Sequence, residues 1–161
     1  MRVLFVCMGN ICRSPTAEGV MRHILAAEGL EARVEVDSAG TGNWHVGERA
    51  DARAREAAAR RGIELTSVAR QVQSRDFDDF DLILAADELN RRELLKISGD
   101  HPAHTAKIRL LREFDPDAQQ DGDLELPDPY YGGPEGFEEV LDMVDAACRG
   151  LLRELEADGQ F

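Results

Sequence analysis

Val3-Leu4-Phe5-Val6-Cys7-Met8-Gly9-Asn10-Ile11-Cys12-Arg13-Ser14-Pro15 is the stretch that decides the fold. Val3 to Val6 is a short unbroken apolar run with β-branched and aromatic residues, as expected of a strand buried on both faces of a parallel sheet. Polar and small residues from Cys7 to Ser14 interrupt it. Pro15 suits the first turn of a helix, with Ser14 as its expected cap and Glu18 placed favourably near the N-terminal dipole. Val20, Met21, Ile24 and Leu25 then recur at helical spacing, and Gly29 closes the segment. The reading is strand, loop, helix.

Outward from there the pattern repeats. Arg33 to Ser38 alternates as a second strand, with Val34 and Val36 on one face; Ala39 to Gly47 is a loop. Asp51 to Arg61 reads as an Ala/Arg-rich helix closed by Gly62, and Leu82 to Ala85 as a third, buried strand. A polar helix from Glu88 to Lys96 and a weaker strand from Lys107 to Leu111 follow. Asp115 to Gly133 is acid-rich and shows neither period, so it is expected to be a long connection, functional or mobile; Asp115 to Glu125 reads most simply as solvated surface, with a part in tuning which anionic ligands approach as the alternative. Phe137, Val140, Leu141, Val144, Cys148, Leu151, Leu152 and Leu155 mark a long final helix. Strands alternating with helices predict an α/β sandwich around a parallel sheet, whose ligands sit beyond the carboxyl ends of the strands. The Cys7 segment lies at such an end.

The composition narrows the chemistry. The 161 residues, 43% hydrophobic and 32% charged, are enough for one ordinary core and argue against disorder. Thirty-two acids against 19 bases leave a charge of -13, which repels nucleic acid and anionic lipid, so neither is an expected partner. No apolar stretch is long enough for a membrane span, and the N-terminus lacks the pattern of a secretory signal. The cytoplasm is the expected location. Cys7, Cys12 and Cys148 are too few for a disulfide framework, and no zinc-ligand spacing is present.

Between a buried strand and a helix N-terminus, unpaired backbone N–H groups and the helix dipole converge on an anion site. Gly9 allows close backbone approach, and Asn10 tolerates a left-handed conformation better than most residues. Arg13 offers a planar two-pronged donor to a phosphate-like dianion. The same field favours a thiolate at Cys7. The loop lacks the G-x-x-x-x-G-K-[ST] spacing of a nucleotide-binding loop. Asp128, between Pro127 and Pro129 and beside Leu126, Tyr130 and Tyr131, is the candidate proton donor; by spacing alone, Asp-Pro is more often a turn.

Val6 to Pro15, Asp37 to Gly40, Asn43 to Gly47, Ala69 to Gln71, Phe80 to Leu84 with Asp87 and Asn90, and Asp128 to Gly132 together resemble the low-molecular-weight protein tyrosine phosphatases. They occur in that family's order and cover most of the chain. The resemblance implies one domain over residues 1–161, a three-layer sandwich with a four-stranded parallel sheet in the order 2-1-3-4. It also implies a phosphocysteine mechanism. Cys7 would attack phosphorus, Arg13 and the amides of Met8 to Cys12 would hold the oxygens, and Asp128 would act as acid and then base. Ser14 would hydrogen-bond the sulfur, while Asn10 and Ser38 would fix the loop shape. Trp44, Tyr130 and Tyr131 would line the cleft entrance, with His45 nearby, and Cys12 would be the redox partner of Cys7.

The implied partners are tyrosine-phosphorylated proteins or peptides, with no metal or other cofactor, and the chain a monomer or weak dimer. Ile11 stands where the arginine-phosphatase branch has Thr, which favours aryl phosphate. Two departures stand out. Ser67 replaces a His of the network beneath the loop, and Ala86 replaces a common Met. A thiol-linked arsenate reductase and a non-catalytic phosphate-binding redox sensor are the alternatives. The first needs a further cysteine pair, which Cys148 alone does not supply.

Overall fold

A computed structural model describes residues 1–160; Phe161, the last residue of the expected domain, lies outside the described residues. Four strands, β1 (Arg2–Cys7), β2 (Glu35–Gly40), β3 (Leu82–Ala85) and β4 (Ile108–Leu110), form one sheet in the order β2-β1-β3-β4. Every pairing is parallel. The expected sheet and its order are therefore observed. β2 runs two residues later than the alternation suggested, because its pairing with β1 extends from Arg2 opposite Glu35 to Cys7 opposite Gly40. A Cβ at Gly40 would fall 2.7 Å from the carbonyl oxygen of Met8, so this strand end tolerates no side chain.

The strand period of two divides β1 between two cores. Val3 and Phe5 face α1 (Arg13–Ala27) and α7 (Pro134–Ala157), together with Ala54, Ala57 and Ala58 of α2 (Ala52–Ala59). Leu4 and Val6 face the other side, where Phe77 of α3 (Asp76–Asp79), Phe80 and Leu94 of α4 (Glu88–Ser98) are buried. Burying a side chain of this size stabilises the fold by about 1.5–3 kcal/mol relative to leaving it exposed. No described helix is long and apolar enough to cross a membrane.

Two local expectations are corrected. Ser14 does not cap α1: the helix begins at Arg13, no side chain caps it, and the Ser14 hydroxyl turns back to the sulfur of Cys7. The segment after Asp115 is not all loop or all solvated surface. Asp115 is buried, and its carboxylate accepts from the Asp117 N–H at the start of α6 (Pro116–Asp121). The short helices α3 and α5 (Pro102–Thr105) had no periodicity to announce them.

Candidate functional site

The loop between β1 and α1 wraps around one sulfur. Asn10 has φ 58°, left-handed as its residue type allows, and this turns its backbone N–H to donate to Cys7 Sγ at 3.3 Å. Ser14 Oγ lies 2.9 Å from the same sulfur. Asn10 Nδ2 donates to Ser14 Oγ at 2.8 Å and to Ser38 Oγ at 3.0 Å, and Asn10 Oδ1 accepts from the Arg70 N–H at 3.0 Å. Asn10, Ser14 and Ser38 are all buried, so each bond forms away from competing water. Ser67, expected in this network, is half-buried and makes no side-chain hydrogen bond among the described residues; the Arg70 backbone does the bracing.

Cys7 opens onto a cavity of about 550 Å³. Met8, Gly9, Ile11, Cys12 and Arg13 form its inner wall, and Trp44, His45, Asp128, Tyr130 and Tyr131 its rim. Cys7 is only 3% exposed, so the sulfur sits at the floor, whereas Trp44 is 69% and Tyr131 91% exposed at the mouth. A Cβ at Gly9 would stand 3.0 Å from His45 Cδ2, so the loop and rim touch there. His45 Nδ1 is 2.5 Å from Glu48 Oε2, which orients the ring.

Arg13 is held from behind. Its Nη1 donates to Asp87 Oδ2 at 2.7 Å and to the Leu126 carbonyl at 2.8 Å; its Nη2 is 4.0 Å from Asp128 Oδ2. Burial disfavours the guanidinium charge, but Cys7, Asp87 and Asp128 outweigh it and hold Arg13 above its ordinary value. The Asp128 side chain is 44% exposed, and its Oδ1 accepts from the Tyr130 N–H at 3.1 Å. Ala86, the second departure, is buried and ties the acid loop to the sheet: its carbonyl accepts from the Leu126 N–H at 3.0 Å.

Burial, with Asp51, Cys7 and Asp128 nearby, pushes the Cys12 thiol up to about 12, so it is neutral at pH 7. Cys148 is buried in α7 against the Ala17 carbonyl, a core residue as its apolar stripe indicated. All three cysteines are free.

Sequence reasoning left three residues without their roles in the site. Asp87, noted only for its resemblance to the family, caps α4, where its Oδ1 accepts from the Asn90 N–H, and nothing in the spacing links it to Arg13, 74 positions away. Arg53 pairs with Asp51 and lies over the rings of Tyr130 and Phe137, 5.4 and 4.8 Å from their centroids, bracing the acid loop. Glu18, expected near the N-terminal dipole, lies beyond the first turn of α1. It is buried and ion-paired through Oε2 with Arg22, while Oε1 has no hydrogen-bond partner among the described residues. Burial, only partly offset by Ser38 and Arg22, raises its carboxyl above the ordinary value.

Comparison with known proteins agrees with this geometry. A sequence model described as low molecular weight phosphotyrosine protein phosphatase matches residues 2–161. A low molecular weight protein-tyrosine-phosphatase of Streptomyces coelicolor is 52% identical over 151 residues, covering 94% of this chain and 91% of that one. The crystal structure of a protein tyrosine phosphatase from Entamoeba histolytica superimposes with a TM-score of 0.92 at 41% identity, covering 100% of this chain and 99% of that one. A Drosophila arginine phosphatase structure gives 0.87 at 34% identity, covering 96% and 97%. Most of the chain is matched in each case: the chain belongs to the low molecular weight phosphotyrosine protein phosphatase family.

Proposed function

We propose that this chain, as one catalytic domain over residues 1–161, hydrolyses phosphotyrosine in proteins or peptides through a phosphocysteine intermediate. One observation carries the reading: a recessed sulfur, a buried guanidinium and a half-exposed carboxyl converge on one cavity, with Arg13 Nη2 4.0 Å from Asp128 Oδ2. Cys7 Sγ attacks phosphorus; the bond to the tyrosyl oxygen breaks, and Asp128 gives that oxygen its proton. Water then attacks the phosphocysteine, Asp128 takes the water's proton, and inorganic phosphate leaves as the thiolate is restored. Arg13 and the amides from Met8 to Cys12 stabilise the charge that develops on the equatorial oxygens, a fixed donor set needing little reorganisation. Ser14 Oγ, 2.9 Å from the sulfur, favours its departure as an anion.

Recession selects the substrate. Phosphate must reach a floor that is 3% exposed, past Trp44 and Tyr131, so a long flat aryl phosphate fits where a short phosphoserine does not. Ile11 lines the inner wall, and its apolar side chain suits a ring better than a guanidinium. Cys12 supplies a redox branch. Peroxide oxidises Cys7 to the sulfenic acid, the neutral Cys12 thiol condenses with it, and water leaves as the disulfide forms. Reducing thiols of the cytoplasm, where we place the protein, reverse this.

The test compares phosphotyrosine, phosphoarginine and phosphoserine peptides under reducing conditions with chelator present. Phosphotyrosine hydrolysis is expected to dominate, to trap a phosphorylated Cys7 on rapid acid quench, and to vanish in Cys7→Ser. Normal turnover by Cys7→Ser, or faster cleavage of phosphoarginine, overturns the proposal.

A further inference from the structure

In a chain of net charge -13, residues 49–61 hold five arginines against Asp51 and Glu56, a local +3, so all other residues together carry -16. Three of the five arginines are neutralised: Arg53 by Asp51, Arg60 by Glu138, and Arg61 by Glu138 and Asp142. Arg49 and Arg55 belong to no ion pair among the described residues. Both line a surface depression of about 340 Å³, floored by Ile63 and Leu65. Arg55 Nε donates to the Ala50 carbonyl at 2.9 Å, which fixes the start of its guanidinium and leaves Nη1 and Nη2 without acceptors among the described residues. Glu64 is the one carboxylate on the lining and is likewise in no ion pair.

A short stretch of chain joins the depression to the cleft, although the two share no lining residue. Glu48 holds His45 of the cleft rim, and the Asp51 N–H donates to the Ile11 carbonyl of the phosphate loop at 2.8 Å. Arg49 and Ala50 are the chain between these two ties. Arg49 is four residues from His45, at most about 14 Å along the backbone, and four residues of extended peptide span about the same distance. A peptide whose phosphotyrosine occupies the cleft can therefore lay a side chain three to five positions away over the depression. Two free guanidiniums over an apolar floor fit the planar head and short stem of an acidic side chain.

We propose that Arg49 and Arg55 form an anion subsite that reads an aspartate or glutamate three to five residues from the phosphotyrosine. The assignment rests on the phosphatase reading above. Its test uses phosphotyrosine peptides that differ only in Glu or Gln at each of those positions on either side, with p-nitrophenyl phosphate as the small substrate. At low salt the parent is expected to favour one Glu peptide about three- to tenfold in kcat/KM, and added salt to shrink the preference. In Arg49→Ala/Arg55→Ala the preference falls to about one while p-nitrophenyl phosphate turnover is unchanged, which also reports that the variant is folded. Glu64→Gln, which removes the opposing carboxylate, enlarges it. A parent without preference at any position, or a double variant that keeps it, overturns the subsite. Loss of all aryl phosphate hydrolysis in the parent overturns the phosphatase reading instead, and the two failures are distinct.

Discussion

The two halves of the cleft are built to opposite specifications. On the β1–α1 side, Asn10, Arg13, Ser14 and Ser38 are all buried, and each is tied by side-chain bonds to residues far along the chain. On the acid side, Asp128 is half-exposed, its one hydrogen bond among the described residues comes from the Tyr130 N–H, with Arg13 Nη2 4.0 Å away, and Tyr131 stands almost wholly in solvent. The difference suits the proposed chemistry. A site that binds a dianion must present its donors already aimed, since any reorientation is added to the barrier. A proton donor must admit a substrate, release a product and then meet water, which a lightly held loop permits.

Substitutions on the two sides should therefore divide cleanly between rate and stability. Asp128→Asn keeps an oxygen for the Tyr130 N–H but cannot donate the proton. It is expected to lower kcat/KM for phenyl phosphate, which reports the step that expels the aryl oxide, by about 10²–10⁴, equivalent to roughly 3–5 kcal/mol of barrier. The loss should be smaller for p-nitrophenyl phosphate, whose leaving group scarcely needs protonation, and the urea midpoint should not move. An equal loss on both substrates would show that Asp128 has another role. Asn10→Ala acts on the other side, removing three buried bonds and leaving a Cβ-bearing residue at φ 58°. Unfolding in urea should show about 3–4 kcal/mol less stability, with Asn10→Gly recovering about 1 kcal/mol because glycine accepts that φ. An unchanged midpoint would break the contrast.

Glu18→Gln probes the floor beneath the rigid half. The carboxyl is raised in the folded protein, so the native state holds its proton at pH values where the unfolded chain has lost it. That contribution is full below the ordinary carboxylate range and fades as pH rises through the higher native value. From pH 4 to pH 7 the parent should lose stability relative to Glu18→Gln; a difference independent of pH would place the carboxyl in water. Tyr131→Ala should do least, moving stability by under about 0.5 kcal/mol and showing any effect in KM.

Much of this was legible in the chain because it is local. β3 falls on Leu82 to Ala85 as the apolar run indicated, and α7 follows its heptad-like stripe to Leu155. Asn10 announced its left-handed turn by residue type alone. The reading failed where a distant partner overrides local preference. Ser14 before Pro15 looks like a cap, but the Cys7 sulfur and the Asn10 amide draw its hydroxyl into the loop. Glu18 looks like a partner of the helix dipole, yet it falls beyond the first turn and is buried beside Arg22. Asp115-Pro116 did carry a helix-start signal. It was masked because α6 buries only Ala118 and so shows no period.

Arg13 reaches both halves, through the carbonyl of Leu126 on one edge and the mouth of the loop on the other. A lysine there would keep the cation, yet a single ammonium cannot grip an oxyanion while also pinning the stem of residues 126–128. Arg13→Lys should thus loosen the delivery of the proton as well as the hold on phosphate, and adding Asp128→Asn should then cost less than it does in the parent. Charge at this position is only half of what the fold asks of it; the flat, forked shape is the other half.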